Sequence, residues 1–345
     1  MNEIPQPLTA MSLQAYIREV LPEYSASEVT GLEEITSGWE TDVYAFDLAS
    51  KDISQPLPLV LRVYQGLDAG DKSTVEFDAL QRLYHVGYPV PRVLSLAAKD
   101  SPAGLPAIIM ERIAGHGMWR KMFQGPEAER QTLFDLFLGL LVQLHQLDWH
   151  NLIDDTAPPF RSDPYYFVDQ SLALYRGLSA QIGLTTYLPV MDWLDARRDM
   201  VPCHRPAPIH WDFHPGNILL CEDGSAIVVD WSQYQISDPR FDLAWTMMLV
   251  GGQEGGNVRE RILSAYEALM GESVEQMAFF EVFAGAKRLA SVTASLSLGA
   301  EAVGMRSGSE EMMLKMLPAM ARVYARLQEI TGLSIPEVET LLGGI

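Results

Sequence analysis

The stretch IHWDFHPGNILLCEDGSAIVVDW, residues 209–231, sets His210, Asp212, Asn217 and Asp230 among Ile, Leu and Val of strand character. Polar and charged groups beside buried strands cost free energy unless they are paired or used. Two short apolar runs, ILL and AIVVD, flank the turn CEDGS, whose Asp-Gly pair favours a tight hairpin. Pro215 and Gly216 allow the sharp bend that returns the loop to the first of these strands.

By position the stretch is His210-x-Asp212-x-x-x-x-Asn217, followed 13 residues later, from 217 to 230, by Asp230. That is the spacing of the catalytic and metal loops of protein-kinase-type phosphoryl transfer. The chemistry explains the residue types. An acceptor hydroxyl must be held in line with a γ-phosphoryl group, and a carboxylate must take its proton late; Asp212 fits that role. Mg²⁺ prefers hard oxygen ligands, which the Asn217 carboxamide and the Asp230 carboxylate supply. The rival chemistry is a hydrolase holding one Zn²⁺ on His210, Asp212 and His214. The other histidines (His85, His116, His145, His150 and His204) form no ligand-spaced pair to complete such a site.

Outward from this hairpin, the first third of the chain reads as strands around one helix. TGLEEITSG, TDVYAFDLA and PLPLVLRVY have the β-branched and apolar content of three antiparallel strands, and YIREVL (16–21) precedes them as a short helix. KSTVEFDALQRLYHVG (72–87) spaces Val75, Leu80, Leu83 and Tyr84 as one amphipathic helix ending at Gly87, after which PRVLSLAA and LPAIIMERIAG return to strand. Past residue 128 the apolar period becomes helical, with helices expected at 128–148, 164–182, 187–199, 239–250, 257–270, 275–300 and 309–332. The predicted fold is therefore α+β and bilobal. A small antiparallel-sheet lobe with one main helix (1–113) precedes a larger, mostly helical lobe (114–345).

HWDFHPGNIL, VVDW and DPRFDLAW resemble the catalytic loop, metal loop and following helix of the aminoglycoside phosphotransferase family, small-molecule kinases with a protein-kinase-like fold. The resemblance implies an ATP-dependent (or other nucleoside-triphosphate-dependent), Mg²⁺-requiring kinase that phosphorylates a hydroxyl of a small molecule. It also implies nucleotide-site roles for Gly38 of TSGWETDVYAF, Arg62 in place of the phosphate-anchoring Lys, and Glu76 as its ion-pair partner. Met110, Glu111 and Ile113 of IIMERIAG become the adenine-edge segment. His210 and Asp242 become supports of the catalytic loop rather than reacting groups. Asp242 also has a local reading, because Asp238 and Pro239 start a helix and Asp242 sits one turn in. The residue between His210 and Asp212 is commonly Gly in the family; here it is Trp211. A nucleotide-binding pseudokinase or interaction module is the alternative, kept open by Arg62 and the glycine-poor loop.

Composition bounds the rest. The 345 residues carry a formal net charge of −20, which argues against nucleic acid as a partner and suits a cationic small molecule, or serves solubility alone. Asp163, Asp169 and Asp192 are the acidic side chains placed to face such a substrate. The most apolar run, LFDLFLGLLVQL (133–144), is too short to span a bilayer and reads as a buried helix, with its neighbour His145 as a core residue. MNEIPQPLTAMSLQAY lacks the form of a signal peptide, and two cysteines, Cys203 and Cys221, give no disulfide framework, so a cytoplasmic setting is expected. GGQEGG (251–256) follows no strand and reads as an interhelical loop rather than a phosphate-binding loop. Composition says nothing of oligomeric state.

Overall fold

The computed structural model describes residues 8–35, 41–50, 55–66, 68–97, 101–155, 157–181, 183–299 and 313–343. Helix α1 (Ala10–Val20) begins six residues before the YIREVL segment, because Thr9 and Ser12 form a reciprocal capping box at 3.1 Å. Strands β1 (Glu28–Ile35), β2 (Thr41–Ala49) and β3 (Leu57–Tyr64) then run antiparallel, as their patterning predicts. Helix α2 (Ala69–His85) leads to β4 (Val93–Ala97) and β5 (Ala107–Glu111), completing a sheet of order β1-β2-β3-β5-β4. Gly38 lies outside the described residues.

The chain continues through β6 (Gly115–Gly117), α3 (Met118–Gln124), α4 (Glu127–His145), α5 (Tyr166–Gln181), α6 (Leu188–Asp195) and β7 (Ala207–Ile209). The opening stretch supplies β8 (Ile218–Cys221) and β9 (Ala226–Val228). After them come β10 (Gln235–Ser237), α7 (Pro239–Glu254), α8 (Val258–Met270), α9 (Met277–Leu298), α10 (Leu317–Thr331) and α11 (Pro336–Leu342). Helix α7 runs four residues past its expected end, so the GGQE of GGQEGG is helical. Gly252 packs closely there, since a Cβ would stand 3.3 Å from the Val323 side chain of α10.

Two compact units result: residues up to Gly117 together with Ile218–Tyr234, and Met118–Asn217 together with the described chain from Gln235. The first unit buries Leu13 and Ile17 of α1 against Phe46, Leu48, Leu59, Leu61 and Val63. The two-residue period of β3 sends Leu61 and Val63 into that core and Arg62 to the opposite face. Helix α2 presents Ser73, Glu76, Ala79, Leu80 and Leu83 as its buried face, while Tyr84 is exposed and Val75 is not part of that face. The stripe thus carries a carboxylate at its centre, which apolar periodicity alone does not reveal. In the second unit α4 is buried on nearly all sides, as the run 133–144 predicts, and α7 packs against α9.

Candidate active site

The catalytic-loop candidate, His210 to Asn217, follows β7 in the second unit and ends in a 3-10 turn, Pro215–Asn217. One face of α7 holds it. Asp238 caps the helix by accepting from the Arg240 amide at 3.0 Å, with Pro239 at the first position. One turn in, the fully buried Asp242 accepts the amides of His210 and Trp211 at 2.8 and 2.9 Å. Three and four residues further on, the Trp245 indole donates to Oδ1 of Asp212 at 2.9 Å and Thr246 donates to the Phe213 carbonyl at 2.8 Å. Spacings of three and four place all these side chains on one helix face.

Asp242 has support of its own. His145 Nε2 stands 3.3 Å from its Oδ2, and His145 Nδ1 is 2.8 Å from the Tyr266 hydroxyl, both within the core of this unit. His145 is therefore the core residue its leucine-rich helix suggests, and it also steadies the carboxylate that steadies the loop. His210, buried completely, accepts the Asp212 amide on Nδ1 at 3.3 Å. That nitrogen faces the loop backbone, so His210 does not converge with Asp212 and His214 as a zinc triad requires. Among the described residues no three His, Cys, Asp or Glu side chains gather to hold a metal ion.

Asp212 is fixed at both oxygens yet remains partly open to solvent. Asn217 Nδ2 donates to its carbonyl at 3.0 Å and to Oδ2 at 3.2 Å, and His214 Nε2 lies 3.6 Å from Oδ2. The Gly216 amide lies 3.0 Å from His214 Nδ1, and Nε2 faces the carboxylate. A Cβ at Gly216 would meet that ring at 2.7 Å, so the glycine allows the imidazole to lie over the turn. Burial pushes the Asp212 carboxyl up, but the charge of His214 and the hydrogen bonds from His214 and Trp245 outweigh it and hold it well below the usual carboxylate range.

Trp211 has φ of 67°, the left-handed region that glycine adopts without strain, which accounts for glycine being common at this position in the family. Its ring packs under the loop, 5.2 Å from Phe241 and 6.3 Å from Phe283. Lys287 of α9 caps it, with Nζ 4.1 Å from the Trp211 ring centre and 4.5 Å from that of Trp245.

In the first unit Arg62 stands with two of the candidates, Glu76 and Asp230. Its two terminal nitrogens reach Glu76 at 3.4 Å and Asp230 at 3.0 Å, so the expected Arg62–Glu76 pair is present and Asp230 shares the guanidinium. Burial pulls Arg62 down, yet the charges of Glu76 and Asp230 together hold it above its ordinary value. Burial likewise pushes the Glu76 carboxyl up, against the Arg62 charge. Tyr64 donates to Glu76, and the Trp231 amide donates to it at 3.4 Å. Asp230 itself has φ of 70°, which turns its side chain out of the strand toward Arg62. Met110 is buried in β5, and the Glu111 amide donates to the Arg92 carbonyl at 2.9 Å.

The donor chemistry suits a hard divalent cation. Asn217 spends its Nδ2 on Asp212, which turns its amide oxygen away from that carboxylate, and Arg62 engages Oδ1 of Asp230. The acidic trio expected to face a substrate is otherwise occupied. Asp169 takes a two-point grip from Arg198 at 2.7 and 2.6 Å, Asp192 pairs with Arg176 at 2.7 Å, and Asp163 accepts the Tyr165 amide at 2.9 Å.

With this geometry in place, comparison with known proteins is direct. A family model described as the phosphotransferase enzyme family matches residues 31–280. The chain belongs to that family. This phosphotransferase is 24% identical over 273 residues to acyl-CoA dehydrogenase family member 11 of Rattus norvegicus, an alignment covering 72% of the chain and 33% of that protein. The chain thus matches about a third of the length of this curated relative. A solved structure from Ralstonia eutropha JMP134, described as a candidate aminoglycoside phosphotransferase, superposes with a TM-score of 0.68 at 16% identity, covering 94% of this chain and 97% of that one. A thermostable mutant of aminoglycoside phosphotransferase APH(4)-Ia, in ternary complex with ADP and hygromycin B, gives 0.56 at 16% identity over 93% and 98%. These likenesses establish the α+β, protein-kinase-like fold that the hairpin predicts. No helix among the described residues is long and apolar enough to cross a membrane.

Sequence reasoning names Asp212, Asn217, Asp230, Arg62, Glu76, His210 and Asp242, and the structure gives each a defined set of partners. It misses Trp245, Thr246, Tyr266 and the part played by His145. The signal for two of these was present: in DLAWT, Trp245 and Thr246 share the helix face of Asp242.

Proposed function

We infer that this small-molecule phosphotransferase moves the γ-phosphoryl group of ATP, or another nucleoside triphosphate, to an alcohol, with Asp212 taking the hydroxyl proton. One observation carries this reading: a carboxylate held at both oxygens by Trp245, Asn217 and His214, on a loop pinned by Asp242, stays ionised and still open to solvent. Because the transition state of phosphoryl transfer is loose, such a group needs placement more than basicity, and a depressed carboxyl is adequate. Arg62, braced by Glu76, is the proposed phosphate anchor, and the backbone around Met110, Glu111 and Ile113 is the proposed adenine edge. Gly38 keeps its proposed place in the nucleotide-covering hairpin. Asn217 and Asp230 are the proposed Mg²⁺ ligands on the strength of their spacing from Asp212 and their oxygen donors. Bound there, the metal would neutralise phosphate charge.

Neighbour structures determined with ADP and an antibiotic support a nucleotide and a small-molecule acceptor. Aminoglycoside-like antibiotics and metabolite alcohols both remain acceptors of the right class. An ADP-release assay over both classes tests the reading: Asp212→Ala abolishes turnover and leaves ATP affinity within about twofold, whereas undiminished turnover in that variant refutes Asp212 as the base.

A second reading, a pseudokinase that binds nucleotide without turnover, draws on Arg62 standing on Asp230, where a cation already neutralises the proposed metal ligand. Thermal shifts by ATP with and without Mg²⁺ separate the two, since a working kinase gains stability from ATP in a metal-dependent way.

A further inference from the structure

Helix α9 carries two neighbouring cations, Lys287 and Arg288. Arg288 follows Lys287, the residue that caps Trp211 and Trp245. Its Nε is closed off from solvent and has no hydrogen-bond partner, and a terminal nitrogen finds only the Met316 thioether at 3.6 Å. Among the described residues no carboxylate lies within ion-pair reach of Arg288. Burial lowers this guanidinium below its ordinary value, and the carboxylate whose field opposes that is Asp212.

Arginines elsewhere in the same unit behave differently. Arg240 lies on Asp238, Arg259 and Arg326 both hold Glu281, and Arg198 grips Asp169. A guanidinium carries five donors in a rigid fork matched to carboxylate and phosphate. Arg288 is half-buried, and closing its Nε from solvent without an acceptor costs free energy that a purely structural role does not return. Such a group, next along α9 to the Lys287 that stacks on Trp245, the residue bonded to Asp212, is placed to receive an anion arriving with the substrate.

We propose that the acceptor of this phosphotransferase carries an anionic group, a carboxylate or phosphate, on the same molecule as the reacting hydroxyl, and that Arg288 receives it with Lys287 alongside. The overall charge of −20 does not oppose this, because exposed acidic groups more than about 10 Å from Arg288 are largely screened by salt. The acidic trio that would draw a polycation is already engaged by Arg198, Arg176 and a backbone amide. The proposal rests on Asp212 marking the acceptor site, so its test is a binding measurement that needs no turnover.

Calorimetric titrations in the presence of Mg²⁺ and ADP compare 3-hydroxypropanoate and 6-hydroxyhexanoate with their primary amides, glycerol 3-phosphate with glycerol, and kanamycin as the polycation. The two kinds of acid distinguish a carboxylate from a phosphate. At least one anionic member is expected to bind ten times or more tightly than its neutral counterpart. Arg288→Gln is expected to erase that gap, Arg288→Lys to keep part of it, and ADP affinity to stay unchanged in both. The proposal is overturned if no anion exceeds its neutral counterpart, if kanamycin binds most tightly, or if the gap survives in Arg288→Gln. Should the glutamine variant fail to fold, the wild-type comparison and Arg288→Lys decide. Failure of the kinase reading shows separately, as absent ADP release with every acceptor.

Discussion

Trp245 donates its indole N–H to Oδ1 of Asp212 at 2.9 Å, so a helix residue 33 positions along the chain fixes how the proposed base is turned. Trp245→Phe keeps the ring and removes the donor. A hydrogen bond to a charged group contributes about 1.5–3 kcal/mol, so kcat is expected to fall at least about tenfold while KM for ATP stays level. Steady-state kinetics on purified protein check this, and an unchanged kcat would show that the indole only packs.

Asp242→Asn tests how the loop is held. An amide offers one carbonyl oxygen where the carboxylate offered two, so the His210 or Trp211 amide is left buried without an acceptor. Stability is expected to drop by about 1–3 kcal/mol, read by urea denaturation. A kcat loss near a hundredfold is expected from the displaced loop. Stability lost with kcat intact would mean that the loop geometry does not depend on this carboxylate.

Trp211→Gly sets two effects against each other. Glycine relieves the left-handed backbone, a gain of about 1–2 kcal/mol, and forfeits the ring packed on Phe241 and Phe283, a loss of about 3–5 kcal/mol. The expected result is a net destabilisation of about 2 kcal/mol, the difference between those terms, measurable as a lowered denaturation midpoint. A stabilised variant would show that strain dominates.

Arg62→Lys preserves the charge and removes the fork that spans Glu76 and Asp230. KM for ATP is expected to rise about tenfold, equivalent to about 1.4 kcal/mol, with a smaller change in kcat. Equal KM values for the two proteins would remove Arg62 from the phosphate-anchoring role.

Glu281 joins α8 to α10 by accepting from Arg259 and Arg326. Burial pushes its carboxyl up, but the hydrogen bonds from these two arginines win and hold it below the ordinary glutamate value. A carboxyl lower in the folded than in the unfolded chain adds stability that is complete above the unfolded value, near about 4.3, and is lost as pH falls through the folded one. Denaturation midpoints should therefore separate wild type from Glu281→Gln most widely at neutral pH and converge toward pH 3. A gap that stays constant with pH would dissociate the pair from the acid sensitivity.

Much of the machinery is written locally. The His210-Asp212-Asn217 spacing lies within one loop, and Asp230 follows on the next strand, so short-range order in the chain fixes their types and sequence. The alternation of β3 and the start of α7 at Asp238-Pro239 are equally local, because caps and pleats depend on neighbours. Tyr84 shows the limit: its place in a helical pattern is real, yet it faces solvent because Glu76, a carboxylate, holds the centre of the buried face.

By itself the sequence determined the hairpin, most of the longer helices and strands though not the short ones at Gly115–Gly117, Met118–Gln124, Ala207–Ile209, Gln235–Ser237 and Pro336–Leu342, and a set of oxygen-bearing side chains of the kind proposed to hold a metal-bound nucleotide. Only tertiary structure decided that Trp245, His145 and Tyr266 hold the loop, that Arg62 divides itself between Glu76 and Asp230, and that the half-buried Arg288 has no carboxylate partner among the described residues. The physical reason is range. Spacing along a chain specifies which groups share one helix face or one turn, whereas hydrogen bonds between residues more than thirty positions apart depend on how separate elements pack, and no local pattern encodes that.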